Sequence, residues 1–173
     1  MLSTVFISHG SPMIALERTR ASEFLVLLGK SLPRPNAILS ISAHWVTARP
    51  AVSLAANPET IYDFGGFPQV LYEMKYPAPG APELSFRIKE LLSAADIECD
   101  ALADRGFDHG TWVLLRLMYP GAKIPVAQLS VQPHNDAKSH YVIGQVLQAL
   151  RDENVLILAS GTAVNNIVSV FLY

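Results

Sequence analysis

The sequence predicts an α/β fold in three layers, with a parallel or mixed central sheet carrying helices on both faces. Three observations predict it. Apolar runs of strand length alternate with stretches of helical period, the pattern of strands joined by right-handed crossovers. One of those runs, Ala37–Ser42 (AILSIS), is almost uninterrupted in its apolar character, as expected of a parallel strand covered on both sides. Half of the 173 residues are apolar and only 16% are charged, with a mean hydropathy of +0.27. That composition excludes disorder, and no apolar run approaches the roughly 20 residues of a membrane span.

Taken in order, Leu2–Ile7 (LSTVFI) reads as a buried strand. Ala15–Leu32 reads as a helix whose apolar face is Phe24, Leu25, Leu27 and Leu28, stopped by Pro33 and Pro35. Ala37–Ser42 is the next strand and Ala51–Ala55 a short edge strand. Residues 56–80 are rich in Gly and Pro and form a long excursion, a loop size that usually serves function. Pro82 suits the first turn of a helix running to Ala95. A strand at Ile97–Ala103, a short helix at Gly110–Tyr119, a strand at Ile124–Val131, a helix at Ala137–Leu150 and a strand at Val155–Ala159 complete the pattern. No repeat breaks it, so 1–173 reads as a single domain.

Thirteen Lys and Arg stand against fifteen Asp and Glu, without a basic stripe, which argues against nucleic acid or an anionic membrane as partner. The lone Cys99 sits between Glu98 and Asp100, neighbours that disfavour a reactive thiolate. The start MLSTVFISHG has no secretory signature, so a reducing cytoplasm is the expected setting. No Gly-x-Ser-x-Gly elbow and no Gly-rich phosphate loop occurs, which removes the usual hydrolase nucleophile and nucleotide sites.

The chemistry lies at the strand ends. His9 follows the first strand in ISHGSP and His44 follows the second in ISAHW, while the last strand runs into Ala159–Asn166 (ASGTAVNN). Ligands of open α/β sheets bind beyond the carboxyl ends of the strands. If the first two strands are neighbours, both imidazoles stand on that rim as ligands for one divalent metal; otherwise they are two satisfied structural histidines. Gly10, Ser11 and Ala43 leave room for close approach. Trp45 reads as a pocket wall or as core. His109, in the Gly-flanked turn DRGFDHGTW, reads as a substrate-binding or acid–base group, or as a plain helix-start residue. Asp108 has no side-chain partner implied by adjacency. His134 reads as solvated, and His140 as structural or as a support to the site. Asp63–Gly66 reads as a lid. Tyr62, Phe64, Phe67, Tyr72 and Tyr76 line an aromatic pocket or pack the loop internally.

The series ISHGSP, ISAHW, YDFGGFP, DRGFDHGTW with LRLMYP, IPVAQLSV and LILASGTAVNN resembles, in that order and over essentially the whole chain, the class III extradiol ring-cleavage dioxygenases. The resemblance is to the 4,5-DOPA dioxygenase-like branch related to LigB. It implies one divalent metal, Fe(II) or Zn(II), with His9 and His44 matching the two N-terminal metal ligands. His109 matches a histidine beside the substrate and takes an acid–base or orienting role. A catechol-type aromatic and O2 are the implied partners. Two departures accompany the match. Asn165 stands where the family has histidine, and asparagine cannot act as a base near neutral pH. The family pattern also continues past Tyr173, so the chain is expected to lack a C-terminal part, with the apolar stretch Ile167–Tyr173 either covered by a complementing subunit or a second copy in a homo-oligomer, or left exposed. A truncated, catalytically impaired relative that binds metal or aromatic ligands, or acts through a partner subunit, is the alternative reading.

Overall fold

The computed structural model describes residues 1–161, so the readings of Asn165 and of Ile167–Tyr173 lie outside the described residues. The chain runs β1 (Thr4–Ser8), α1 (Arg20–Ser31), β2 (Ala37–Val46), β3 (Ala51–Ser53), α2 (Gln69–Glu73), α3 (Pro82–Ser93), β4 (Asp100–Leu102), α4 (His109–Met118), β5 (Val126–Val131), α5 (Ala137–Leu147) and β6 (Val155–Gly161). The strands form one six-stranded mixed sheet in the order β1-β6-β2-β5-β3-β4. All neighbours are parallel except β3 and β5, which pair antiparallel.

Strand residues alternate between two cores, which is why the central strands are apolar throughout. Ile38, Val126, Leu156 and Leu158 join Leu25 of α1 and Trp112, Leu114 and Leu115 of α4 on one face. Leu39, Ala127, Leu129, Val155 and Ile157 join Ile88 and Leu92 of α3 and Leu147 of α5 on the other. The three-layer reading is borne out. Among the described residues no helix is long and apolar enough to cross a membrane.

Four expectations change. First, β1 and β2 are not neighbours, because β6 lies between them and pairs with both. Second, β3 is internal rather than an edge, flanked by β5 and β4; β1 and β4 are the sheet edges among the described residues. Third, the first helix starts at Arg20, not Ala15. Thr19 and Ser22 form a reciprocal capping box there, and Ser11 starts a separate 3-10 turn at Pro12–Ala15. Fourth, only Leu25 and Leu28 of its apolar set turn inward, whereas Phe24 and Leu27 lie on a neighbouring stripe and are exposed.

The excursion 56–80 is tied down at three places. The bridge Thr60–Phe107 fastens its start to the segment before α4, Gly80–Val126 fastens its end to β5, and α2 buries Leu71 in the first core. Cys99 lies half-buried, and burial pushes its thiol up to about 11, so it stays protonated at neutral pH.

Candidate metal centre

β6 brings the two strand-end histidines together. Its parallel register sets Ser8 level with Gly161 and Ser42 level with Ser160. The His9 backbone N–H then donates to the Gly161 carbonyl at 3.1 Å. Gly10 follows at φ +64°, a left-handed turn that glycine adopts without strain, and it sends the chain away from the rim. The register of β2 against β5 shifts between Ile41 and Val46, in the stretch that carries His44. The two imidazoles meet with their Nε2 atoms 3.0 Å apart.

His109 arrives from the other side. It is the first residue of α4, whose start is fixed by Asp108 accepting from the Thr111 N–H at 3.1 Å. Asp108 is wholly buried and also holds the Arg105 guanidinium at 3.0 Å. The next residue is Gly110. A Cβ there would come 2.5 Å from Ser42 Oγ and 2.8 Å from Ser160 Oγ, so a larger residue would have to displace those hydroxyls for the helix start to approach the strand ends this closely. The His109 ring lies 4.0 Å from the His44 ring and 5.3 Å from the His9 ring between centroids. The ligand-capable atoms of the three histidines all fall within 4.8 Å of one another.

Each Nδ1 has an oxygen within 3.4 Å. His9 Nδ1 lies 3.3 Å from Ser160 Oγ. His109 Nδ1 donates to Asp63 Oδ1 at 2.9 Å, and the same oxygen accepts the His109 backbone N–H at 3.0 Å. The other oxygen of Asp63 stands 3.4 Å from His44 Nδ1. Burial, then His44 and His109, lower the pKa of His9 from 6.5 to about 4, against the pull of Asp63. Burial and the neighbouring His109 lower that of His44 as well. Burial would raise the Asp63 carboxyl, but the hydrogen bonds from His109 outweigh it and hold it well below its usual range. His9 and His44 are therefore neutral near pH 7, the form in which imidazole binds a metal. A cluster of neutral imidazoles whose outer nitrogens are held by an oxygen partner suits a borderline divalent ion.

Of the expected site residues, His9, His44 and His109 converge. Trp45 is core, 5% exposed, with Arg105 stacked 5.4 Å above its ring. Asp108 caps a helix and holds Arg105. His134 is exposed, and His140 only approaches the Asp136 carbonyl within its own helix start, away from the site. The aromatics divide. Phe64 packs on His109 at 5.6 Å and on Phe67, Tyr72 and Trp112, with Tyr62 beside it, whereas Tyr76 is buried elsewhere and donates to the Tyr119 carbonyl. Asp63 was legible only as part of the glycine-rich YDFGG stretch; nothing local shows that a carboxylate there meets two histidines distant in sequence.

Comparison with known proteins gives a consistent picture. The family model described as the catalytic LigB subunit of aromatic ring-opening dioxygenase matches residues 3–167. Proteins named 4,5-DOPA dioxygenase extradiol are similar: one from Beta vulgaris at 51% identity over 92% of this chain, and one from Escherichia coli K12 at 46% over 96%. In each case the match spans 61% of the relative, so the chain covers about three-fifths of the length of these proteins. The crystal structure of an uncharacterized protein from Escherichia coli K12 superposes with a TM-score of 0.77 at 41% identity, over 94% of this chain and 61% of that one.

Proposed function

The chain belongs to the LigB family of aromatic ring-opening dioxygenases, and from that premise we propose that its histidine cluster is the metal centre of an extradiol cleavage site for a catechol-type, DOPA-like aromatic. The observation that supports this most is the convergence of His9, His44 and His109 at the rim of the sheet, each with an oxygen within 3.4 Å of its Nδ1.

In this reading His9 and His44 hold one divalent ion through Nε2. Both Fe(II) and Zn(II) suit the donors, but only iron can exchange electrons with O2, so Fe(II) is the ion of turnover. The bound ion supplies Lewis acidity toward the catechol hydroxyls and a redox-capable centre for O2. His109 does the proton work. Its Nδ1–H is committed to Asp63, which leaves Nε2 as an acceptor for a phenolic proton. The face of Phe64, packed edge-on against His109, offers an apolar surface to the aromatic ring. The ring bond beside the diol breaks, outside the two oxygens, and both atoms of O2 enter the product. We further read 1–173 as one α/β domain in the cytoplasm; the single sheet with a core on each face supports the domain reading, and a lone cysteine, which can form no internal disulfide, supports the compartment.

The test is anaerobic loading with Fe(II), addition of DOPA or catechol, and admission of air. Stoichiometric O2 uptake with a yellow ring-opened product is expected. Tight Fe(II) binding with no ring opening of any catechol would overturn the catalytic reading. It would favour the second one, ligand binding without turnover, which Asn165 in place of the family's histidine supports.

A further inference from the structure

One residue contacts two of the three imidazoles, and an ionised carboxylate can only accept hydrogen bonds. That chemistry sets the direction of every proton in the cluster. His109 Nδ1 must be the protonated nitrogen, because it meets Asp63 Oδ1 at 2.9 Å. His44 Nδ1 lies 3.4 Å from Oδ2, longer than a well-formed hydrogen bond, yet the carboxylate's charge still makes it the favourable place for the proton of that ring. His44 Nε2 is then bare, so the 3.0 Å contact with His9 requires His9 Nε2 to donate. His9 Nδ1 is bare in turn and accepts from the Ser160 hydroxyl at 3.3 Å. His109 Nε2 has no hydrogen-bond partner among the described residues.

We propose that Asp63 is the positioning residue of the site: it presets His44 and His109 in the Nδ1–H tautomer, and leaves His9 as the one ring that changes tautomer when a metal binds. The change is neutral. The proton leaves His9 Nε2 and appears at Nδ1, and the Ser160 hydroxyl turns from donor to acceptor. The position of Asp63 supports the role, because the segment before it is zipped to the segment before α4. Phe107 N donates to the Glu59 carbonyl at 2.7 Å, and Ile61 N donates to the Phe107 carbonyl at 2.8 Å. The carboxylate and the His109 backbone thus come to the site as one unit.

The metal half of this inference rests on the metal-centre reading above; the tautomers do not. The experiment is long-range ¹H–¹⁵N spectroscopy of the imidazoles in the metal-free chain near neutral pH, followed by titration with Zn(II). Expected are Nδ1–H for His44 and His109, Nε2–H for His9, and a switch of His9 alone as zinc binds. Asp63→Asn keeps the size but places an amide donor on one of the two rings. It is expected to send one of them to Nε2–H and to weaken zinc binding 10- to 100-fold. Asp63→Glu, which keeps an acceptor, restores Nδ1–H at His109. Wild-type His44 or His109 in the Nε2–H form, or Asp63→Asn with tautomers and affinity unchanged within about twofold, would overturn the proposal. Wild-type tautomers as expected with no zinc uptake would sink the metal reading while leaving the preset rings established.

Discussion

At the scale of single residues, the site is held by its environment more than by its own chemistry. His9 is 5% exposed and crowded by two other imidazoles, so its charged form is the costly one. The unfolded chain takes up the proton near 6.5 and the folded chain only near 4. Between those values the unfolded state binds more protons, so stability is fully present above about 6.5 and is lost as the pH falls toward 4. The gap corresponds to about 3 kcal/mol, and His44, lowered in the same direction, adds to it. Urea unfolding of the metal-free chain across this window should show that loss, and His9→Asn should reduce it to the part His44 contributes. Equal stability at both ends of the window would contradict the burial argument. Of the three histidines, His9 follows β1 and His109 opens α4, while His44, read as following the second strand, lies inside β2, which runs four residues past the apolar run Ala37–Ser42. Asp63 was not legible as a site residue, because its partners His44 and His109 lie far from it on either side in the sequence.

At the scale of elements, the strands and helices follow from run length and period, so β5, β6, α3, α4 and α5 could be placed to within a few residues, whereas β2 runs on to Val46, past the expected Ser42, and β1, read as buried, is a largely exposed edge strand. What local pattern does not carry is strand order. The insertion of β6 between β1 and β2 depends on pairings between residues more than 100 positions apart, and it replaces the simpler picture of two neighbouring strands delivering their histidines. The excursion 56–80 is the other element whose role needed the structure. It is a fastened strap that carries Asp63, and its fastening depends on Gly106. A Cβ at that position would come 2.4 Å from the Glu59 carbonyl oxygen, which is the acceptor of the ladder. Gly106→Ala is therefore expected to cost about 1–3 kcal/mol of stability. It should also weaken zinc binding without altering any imidazole. Calorimetric titration with zinc beside urea unfolding would show both effects; an unchanged affinity would mean that Asp63 reaches the histidines independently of the strap.

At the scale of the whole molecule, the sheet makes the site by convergence. β1, β2 and β6 run parallel, and α4 starts at the same rim, so three histidines from three parts of the chain share one small volume. Ring opening is the chemistry proposed for that volume, and the described residues supply the imidazoles, the carboxylate and an aromatic side chain beside them. The central claim is that these imidazoles form one metal centre. Titration of the metal-free chain with Co(II), followed by its visible ligand-field bands, tests this most directly. The account predicts one ion per chain with imidazole ligation, and loss of that binding in both His9→Ala and His44→Ala. Undiminished cobalt binding in either variant would contradict it.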